Sequence, residues 1–565
     1  MKLDKNRYIS VIFTLMAVFC GIVWAFTNVG YDSEYQIAMA YRLIKGDKMI
    51  LEMWEPHQTS ALLPAVLMWL YLKLFHTTTG IVLYLQICGI LIRGGLAFLL
   101  YRLLRDAAGK SAAYGMALFY FMVSPKDYAL PEFSNLQLWF STLLLCGLWS
   151  YLKRGKRYLL LLAAVWLCLE VLAYPSCAIV LISVIIILVL YAPYKWRDIL
   201  SFSGVCAGLG LAVAGYFLVT IGPDTLKECI MGMLNLEPTH ATSGILKIQS
   251  YLWEILEIGI ILLAAGVMGW FVSIVLQAVF RRKGVGTSLW FLCCSVVLLV
   301  GFFLNILSVE NRNAYGIIFL FLVGIGFYHR NILEEKEKKV YVCGSLIGGA
   351  GFLATLILTD MGFLNSVPYG ILATMMALLP IKRWVDKMTS RHIRKGSYLC
   401  FWCLMALLAF RCFYIRIPLT GRGQIGTSFS DMSIVRSGPA FGIVSDEEGV
   451  CIQRDSYPEW KEWIRPGDKV WIVGGVVDTL GYLYEDVEVA GPSTMSTPSY
   501  SETVLEYWRL NPDKEPDVVV AEGYRGDLVY ELLSNPWFLE WLEQEYRPEY
   551  VAEGEYWIYY FREAR

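Results

Sequence analysis

The chain has 565 residues, 57% of them hydrophobic, and a mean hydropathy of +0.51. That composition excludes an ordinary soluble domain and fits a protein that crosses a membrane many times. The formal net charge of -1 hides a division: residues 1–415 carry 35 Lys+Arg against 22 Asp+Glu, whereas residues 416–565 carry 13 against 27. Most of the 14 cysteines lie in or beside apolar segments and only Cys451 falls in the last 150 residues, which excludes a disulfide framework or a Cys-rich metal site.

The first apolar segment, 8–27, follows Lys2, Lys5 and Arg7 and reads as an uncleaved anchor. The chain then meets water at "YDSEYQIAMAYRLIKGDKMILEMWEPHQTS". A helix from about Ser33 to Lys45, closed by Gly46, would take Asp32 as its N-cap and Glu34 in its first turn. Ile37, Tyr41 and Ile44 would line its apolar stripe. Residues 61–76 are apolar but short, with Pro64 inside.

A helix needs about 20 apolar residues to cross a hydrocarbon core of about 30 Å. Further spans are expected near 81–101, 111–123, 135–152, 158–174, 175–193, 199–221, 255–280, 288–308, 314–329, 340–359, 367–381 and 397–415, about thirteen in all with the first. If 61–76 does not cross and the N-terminus is cytoplasmic, the inner stretches hold 25 Lys+Arg and the outer ones eight. Counting 61–76 as a span would put "LKRGKRY" and "VFRRKG" outside, against that bias. The expected fold is therefore mostly α: a polytopic membrane domain over 1–415 and an extracytoplasmic α/β domain over 416–565. In the latter "DKVWIVGGVV", "PDVVVAE" and "EYWIYYFR" read as strands, with helices at "SETVLEYWRLNP", capped by Ser501, and "NPWFLEWLEQEY". "VGGVVDTLG" lacks the G-x-G-x-x-G spacing of a dinucleotide site.

On this topology Asp32, Glu34, Glu55, His57, Asp127, Glu132, His240 and Arg312 share one outer face. Carboxylates there can remove or orient a hydroxyl proton. A histidine and a carboxylate can share a divalent metal, and an arginine can hold a phosphate by paired hydrogen bonds. Each also has a plainer role: Asp32 and Glu132 as helix caps, His57 and His240 as loop residues, Arg312 as a headgroup contact. Arg93 and Glu170, in or near spans, suit a structural partner across helices as well as a substrate.

The order of these features resembles the polytopic glycosyltransferases of the GT-C fold, which include the protein O-mannosyltransferases and the lipid A aminoarabinose transferase. The resemblance rests on "YDSEY", "QIAMAYRLIKGD", "MWEPHQTS", "YALPEFSNLQLWF", "LAYPS" and "NRNAYG" in that order over residues 1–415. Here the acidic pair is split by Ser33, and the lysine of the family's "LTKGP" is missing at "LAYPS". The resemblance implies a plasma-membrane enzyme moving a sugar from a polyprenyl-phosphate donor to a hydroxyl of a glycan, lipid or protein, with inversion, and with membrane lipids but no nucleic acid as partners. It implies Asp32, Glu34 and Glu132 as catalytic residues and Arg312, Glu55 and Tyr174 as substrate contacts, with His57 and His240 as ligands of a divalent metal. A multi-pass transporter and a non-catalytic cell-envelope assembly protein are the alternatives.

Overall fold

The structure, a computed structural model, describes residues 5–27, 29, 31–126, 129–236, 244–280, 286–304, 313–359, 362–414, 432–473, 479–494, 503–522, 536–546, 550–554 and 557–563. His240, Arg312, Asp127 and the cap residue Ser501 lie outside them.

Each of the thirteen expected spans is met by a helix. The first is α1 (Lys5–Phe26); α2 (Tyr31–Lys45) and α3 (Leu62–Phe75) follow before α4 (Ile81–Ala108). Next come α5 (Lys110–Met122), α6 (Phe133–Arg154), α7 (Arg157–Ala173), α8 (Val180–Tyr191) and α9 (Lys195–Ile221). A helix absent from the sequence reading, α10 (Pro223–Leu236), precedes α11 (Gly244–Phe280), α12 (Gly286–Phe303), α13 (Asn313–Tyr328) and α14 (Glu335–Leu358). The short α15 (Phe363–Ser366), α16 (Ile371–Asp386) and α17 (Arg391–Tyr414) complete the bundle. Helix α2 starts at Tyr31, so Asp32 sits in its first turn with Glu34 rather than capping it.

By length and apolarity alone, seven helical segments among the described residues could cross a membrane, and Gln58–Phe75 is one of them. Its α-helical part has 14 residues, against 13 in α5 and 12 in α8. Ala65, Met68 and Tyr71 of α3 are buried in a cluster with Val435 and Ala440 of the C-terminal part, while Leu62, Val66, Trp69, Leu74 and Phe75 are exposed. One face of α3 is thus buried against protein and the other left apolar.

After α17, β1 (Met432–Ile434) and β2 (Val444–Asp446) form an antiparallel pair, and α18 (Glu447–Trp463) follows. Then come β3 (Lys469–Val473), β4 (Glu488–Val489), α19 (Thr503–Leu510), β5 (Val518–Glu522), α20 (Pro536–Glu545), β6 (Val551–Glu553) and β7 (Trp557–Phe561). The sheet order is β4-β3-β5-β7-β6, with β3 parallel to β4 and β5, and β7 antiparallel to β5 and β6. The three expected strands and two expected helices are all present.

This sheet does not close its core alone. Val470, Ile472, Val518 and Val520 alternate onto one face and pack with Ile37, Ala38, Met53 and Ala61 of the first loop. Trp471, Val473, Val519 and Ala521 point the other way, onto α19, α20, Trp54 and Cys229 and Leu236 of α10. Gly232 makes the α10 contact fit, since a Cβ there would stand 2.3 Å from the Trp54 ring.

Candidate active site at the first and second loops

Ala129 and Leu130 lie across α4 at Gly89, where a Cβ would stand 1.8 Å from the Ala129 carbonyl oxygen. Lys126 Nζ stands 2.7 Å from Asp32 Oδ2, with the side chains 15% and 27% exposed. Glu34 is buried beside them on the same helix.

Glu132, fully buried, caps α6: Asn135 N–H donates to its Oε1 at 2.7 Å and Ser134 N–H to its Oε2 at 2.9 Å. Burial raises its pKa from 4.5 to about 7, the charge of Asp32 adding to the rise, while Lys126 and the two backbone N–H groups oppose it. The cap therefore doubles as a carboxyl that titrates near neutrality. Desolvation outweighs a nearby cation and two donors because the carboxyl is wholly out of water.

Rings fill the space beneath. Lys126 Nζ lies 4.3 Å from the Phe133 ring centroid. Phe133 stacks on His57 at 4.2 Å and 9°, and His57 on Tyr174 at 5.3 Å and 14°. Tyr174 lies 6.0 Å from Tyr369, whose hydroxyl meets Ser134 Oγ at 2.8 Å. Asp32, Lys126, Glu132, His57 and Tyr174 thus gather from four stretches of chain, Lys126 and Glu132 sharing one loop. Lys126 was missing from the sequence-derived set. Its available mark was being the one basic residue in the outer loop 124–133.

Glu55 is placed differently. It is fully buried, and its carboxylate accepts hydrogen bonds from Thr494 N–H at 2.7 Å and Ser493 Oγ at 2.9 Å, with Arg42 Nη1 at 3.5 Å. Arg42, also fully buried, pairs with Asp47 at 2.7 Å and donates to the carbonyls of Pro492 and Glu52. Lys514 Nζ reaches the other Asp47 oxygen at 2.7 Å. Arg42 and Lys514 thus face Asp47 and Glu55, with the more exposed Glu488 3.8 Å from Lys514 Nζ, and backbone and hydroxyl groups take remaining valences, which lets charge be buried at tolerable cost.

Within the bundle, Arg93 donates to the Val123 carbonyl and lies 4.9 Å from the Trp24 ring centroid. Glu170 accepts from Ser141 Oγ at 2.5 Å. Among the described residues no three His, Cys, Asp or Glu side chains gather as metal ligands. His57 is flanked by rings and Asp32 already holds a lysine, a poor fit for a divalent ion at these groups.

No family model matches the chain, and no curated protein matches it. Among solved structures it is similar to the Archaeoglobus fulgidus oligosaccharyltransferase tethered with an acceptor peptide (10% identity, TM-score 0.46, covering 92% of this chain and 69% of that one). It is also similar to ArnT from Cupriavidus metallidurans bound to undecaprenyl phosphate (13%, 0.44, 99% of each chain). A further match is the Archaeoglobus fulgidus oligosaccharyltransferase AglB in complex with an inhibitory peptide and a dolichol-phosphate (11%, 0.41, 92% and 69%). Likeness at this level assigns no activity and no residue roles.

Proposed function

We infer that the chain is an integral membrane glycosyltransferase of the GT-C type, moving a sugar from a polyprenyl-phosphate donor to an acceptor hydroxyl on the outer face of the membrane. The observation that carries this reading is the Asp32–Lys126 pair at 2.7 Å beside Glu132, where the first and second loops meet. The reaction needs a carboxylate to take a proton and a cation to receive a phosphate, and both are here in one ion pair. The motif order over residues 1–415 supports the same conclusion.

In the resting site Lys126 and Asp32 neutralise each other. When the donor phosphate arrives, the Lys126 ammonium turns to it, joined by Arg312, and the Asp32 carboxylate turns to the acceptor. The acceptor oxygen attacks the anomeric carbon from the face opposite the phosphate, so the configuration inverts. The acceptor proton passes to Asp32, with Glu34 or Glu132 as the assisting carboxylate. The bond from the anomeric carbon to the phosphate oxygen breaks, and the extra negative charge on the departing polyprenyl phosphate falls to Lys126 and Arg312. Tyr174 and the rings stacked on it offer a flat apolar wall to the sugar. No step above runs through a metal, and elemental analysis of the purified chain tests for one.

The excess of basic residues in the stretches expected inside, 25 against eight, supports a cytoplasmic N-terminus and an extracytoplasmic C-terminal region. The test of function is transfer of labelled sugar from polyprenyl-phosphate donors to hydroxyl acceptors by the purified chain in proteoliposomes. Wild type should turn over, and Asp32→Asn should lose between about 10²- and 10⁴-fold with unchanged melting. Equal rates for the two would remove Asp32 from the chemistry.

A further inference from the structure

We propose that the segment Pro492–Thr494 of the C-terminal region positions His57, acting through Glu55, so that this region is a working part of the transferase site. The proposal rests on the function inferred above. Residues 54–60 form a strap fastened at both ends. At its start Trp54 N–H donates to the Pro492 carbonyl at 2.8 Å, and Glu55 accepts from Ser493 and Thr494. At its end Ser60 Oγ donates to Gln36 Oε1 of α2 at 2.9 Å, and the Thr59 hydroxyl donates to the Leu172 carbonyl, two residues before Tyr174. His57 lies between these anchors, its ring in the stack with Phe133 and Tyr174.

The backbone around His57 has no helix or strand of its own to fix it, only a single 3-10 turn from Gln58 to Ala61. Its conformation is therefore set by the fastenings, and the strongest of them is a buried carboxylate accepting donors from a segment more than 430 residues away. Hydrogen bonds to a buried charge are stronger than neutral ones. Loosening them should let the ring leave its stack without unfolding the bundle or the sheet. Small misplacements at a reacting centre are costly to turnover even when substrate still binds.

The test uses the full chain. Thr494→Pro removes the N–H that Glu55 accepts, Ser493→Ala removes the hydroxyl donor, and Thr494→Ser keeps the N–H as a control. Both removals leave the Arg42–Glu55 pair in place. Hydrogen exchange across residues 54–60 should rise about tenfold in each removal variant and stay at the wild-type rate in Thr494→Ser. In the transfer assay kcat should fall about tenfold with the donor KM changed less than about twofold. Unchanged exchange in Ser493→Ala and Thr494→Pro overturns the proposal, as does a loss expressed in KM alone. A wild-type chain without transfer would sink the function reading, while the exchange measurement would still decide whether this segment holds the strap.

Discussion

The two ends of α2 carry charge of opposite character. Its first turn presents Asp32 to Lys126 with both side chains partly open to solvent, 27% and 15% exposed. Its last turn carries Arg42, wholly enclosed, between Asp47 at 4% and Glu55 at 0% exposure. The helix dipole favours both placements, an anion at the N-terminus and a cation at the C-terminus. What differs is enclosure. Around Arg42 the charges are buried and knitted to the C-terminal region, so that end serves to join two parts of the molecule. Among the described residues Asp32 pairs with Lys126 at a partly solvent-open position, beside Glu132, which titrates near 7. A pair partly open to solvent can exchange partners with a charged substrate more readily than an enclosed one.

The largest effect is expected from breaking the enclosed end. Arg42→Met leaves Asp47 and Glu55 buried with less compensation and should cost about 3–5 kcal/mol. Hydrogen exchange should show the loss in β3, β5 and the first loop, while the bundle from α4 to α9 keeps its protection. Uniform loss would mean that Arg42 is not specific to this junction.

Lys126→Met attacks the more open end. It should lower kcat by about 10²–10³-fold with little change in melting, and it should move the pH limb of Glu132 upward, because a nearby positive charge is gone. A rate within a few-fold of wild type would remove Lys126 from the phosphate contact. Gly89→Ala tests how the loop bearing Lys126 is held. The added methyl meets the Ala129 carbonyl and should cost about 1–3 kcal/mol, with a drop in transfer but no change in the docking of the C-terminal region.

The smallest effect is the pH dependence of Glu132. Its folded pKa, about 7, lies above the ordinary 4.5, so its contribution to stability is fully present below 4.5 and is lost as pH rises through 7. Glu132→Gln should flatten this decline between pH 5 and 8 in melting curves and erase the matching limb of the rate profile. A limb that persists unchanged belongs to another group.

Much of this was readable from the sequence, because apolar length and charge bias report burial and sidedness directly. The thirteen helices and the strands at 469–473, 518–522 and 557–561 all follow from that kind of pattern. Partner choice does not. Glu55 looked like a substrate ligand because its donors, Ser493 and Thr494, lie 438 and 439 residues away, and no periodicity links them. Helix α10 was read as loop because its short amphipathic run lies in a segment with Pro and Gly. Its fit depends on Gly232 meeting Trp54, a tertiary fact. Lys126 carries no spacing or motif of its own, and a lone lysine acquires meaning only when Asp32 is seen 2.7 Å away.

The exchange of partners by Lys126 is the centre of the account, and a structure of the full chain with polyprenyl phosphate bound tests it most directly. The account predicts a phosphate oxygen about 3 Å from Lys126 Nζ, with the Asp32 carboxylate released toward the acceptor side. A phosphate bound elsewhere, with the Asp32–Lys126 pair still closed, would contradict it.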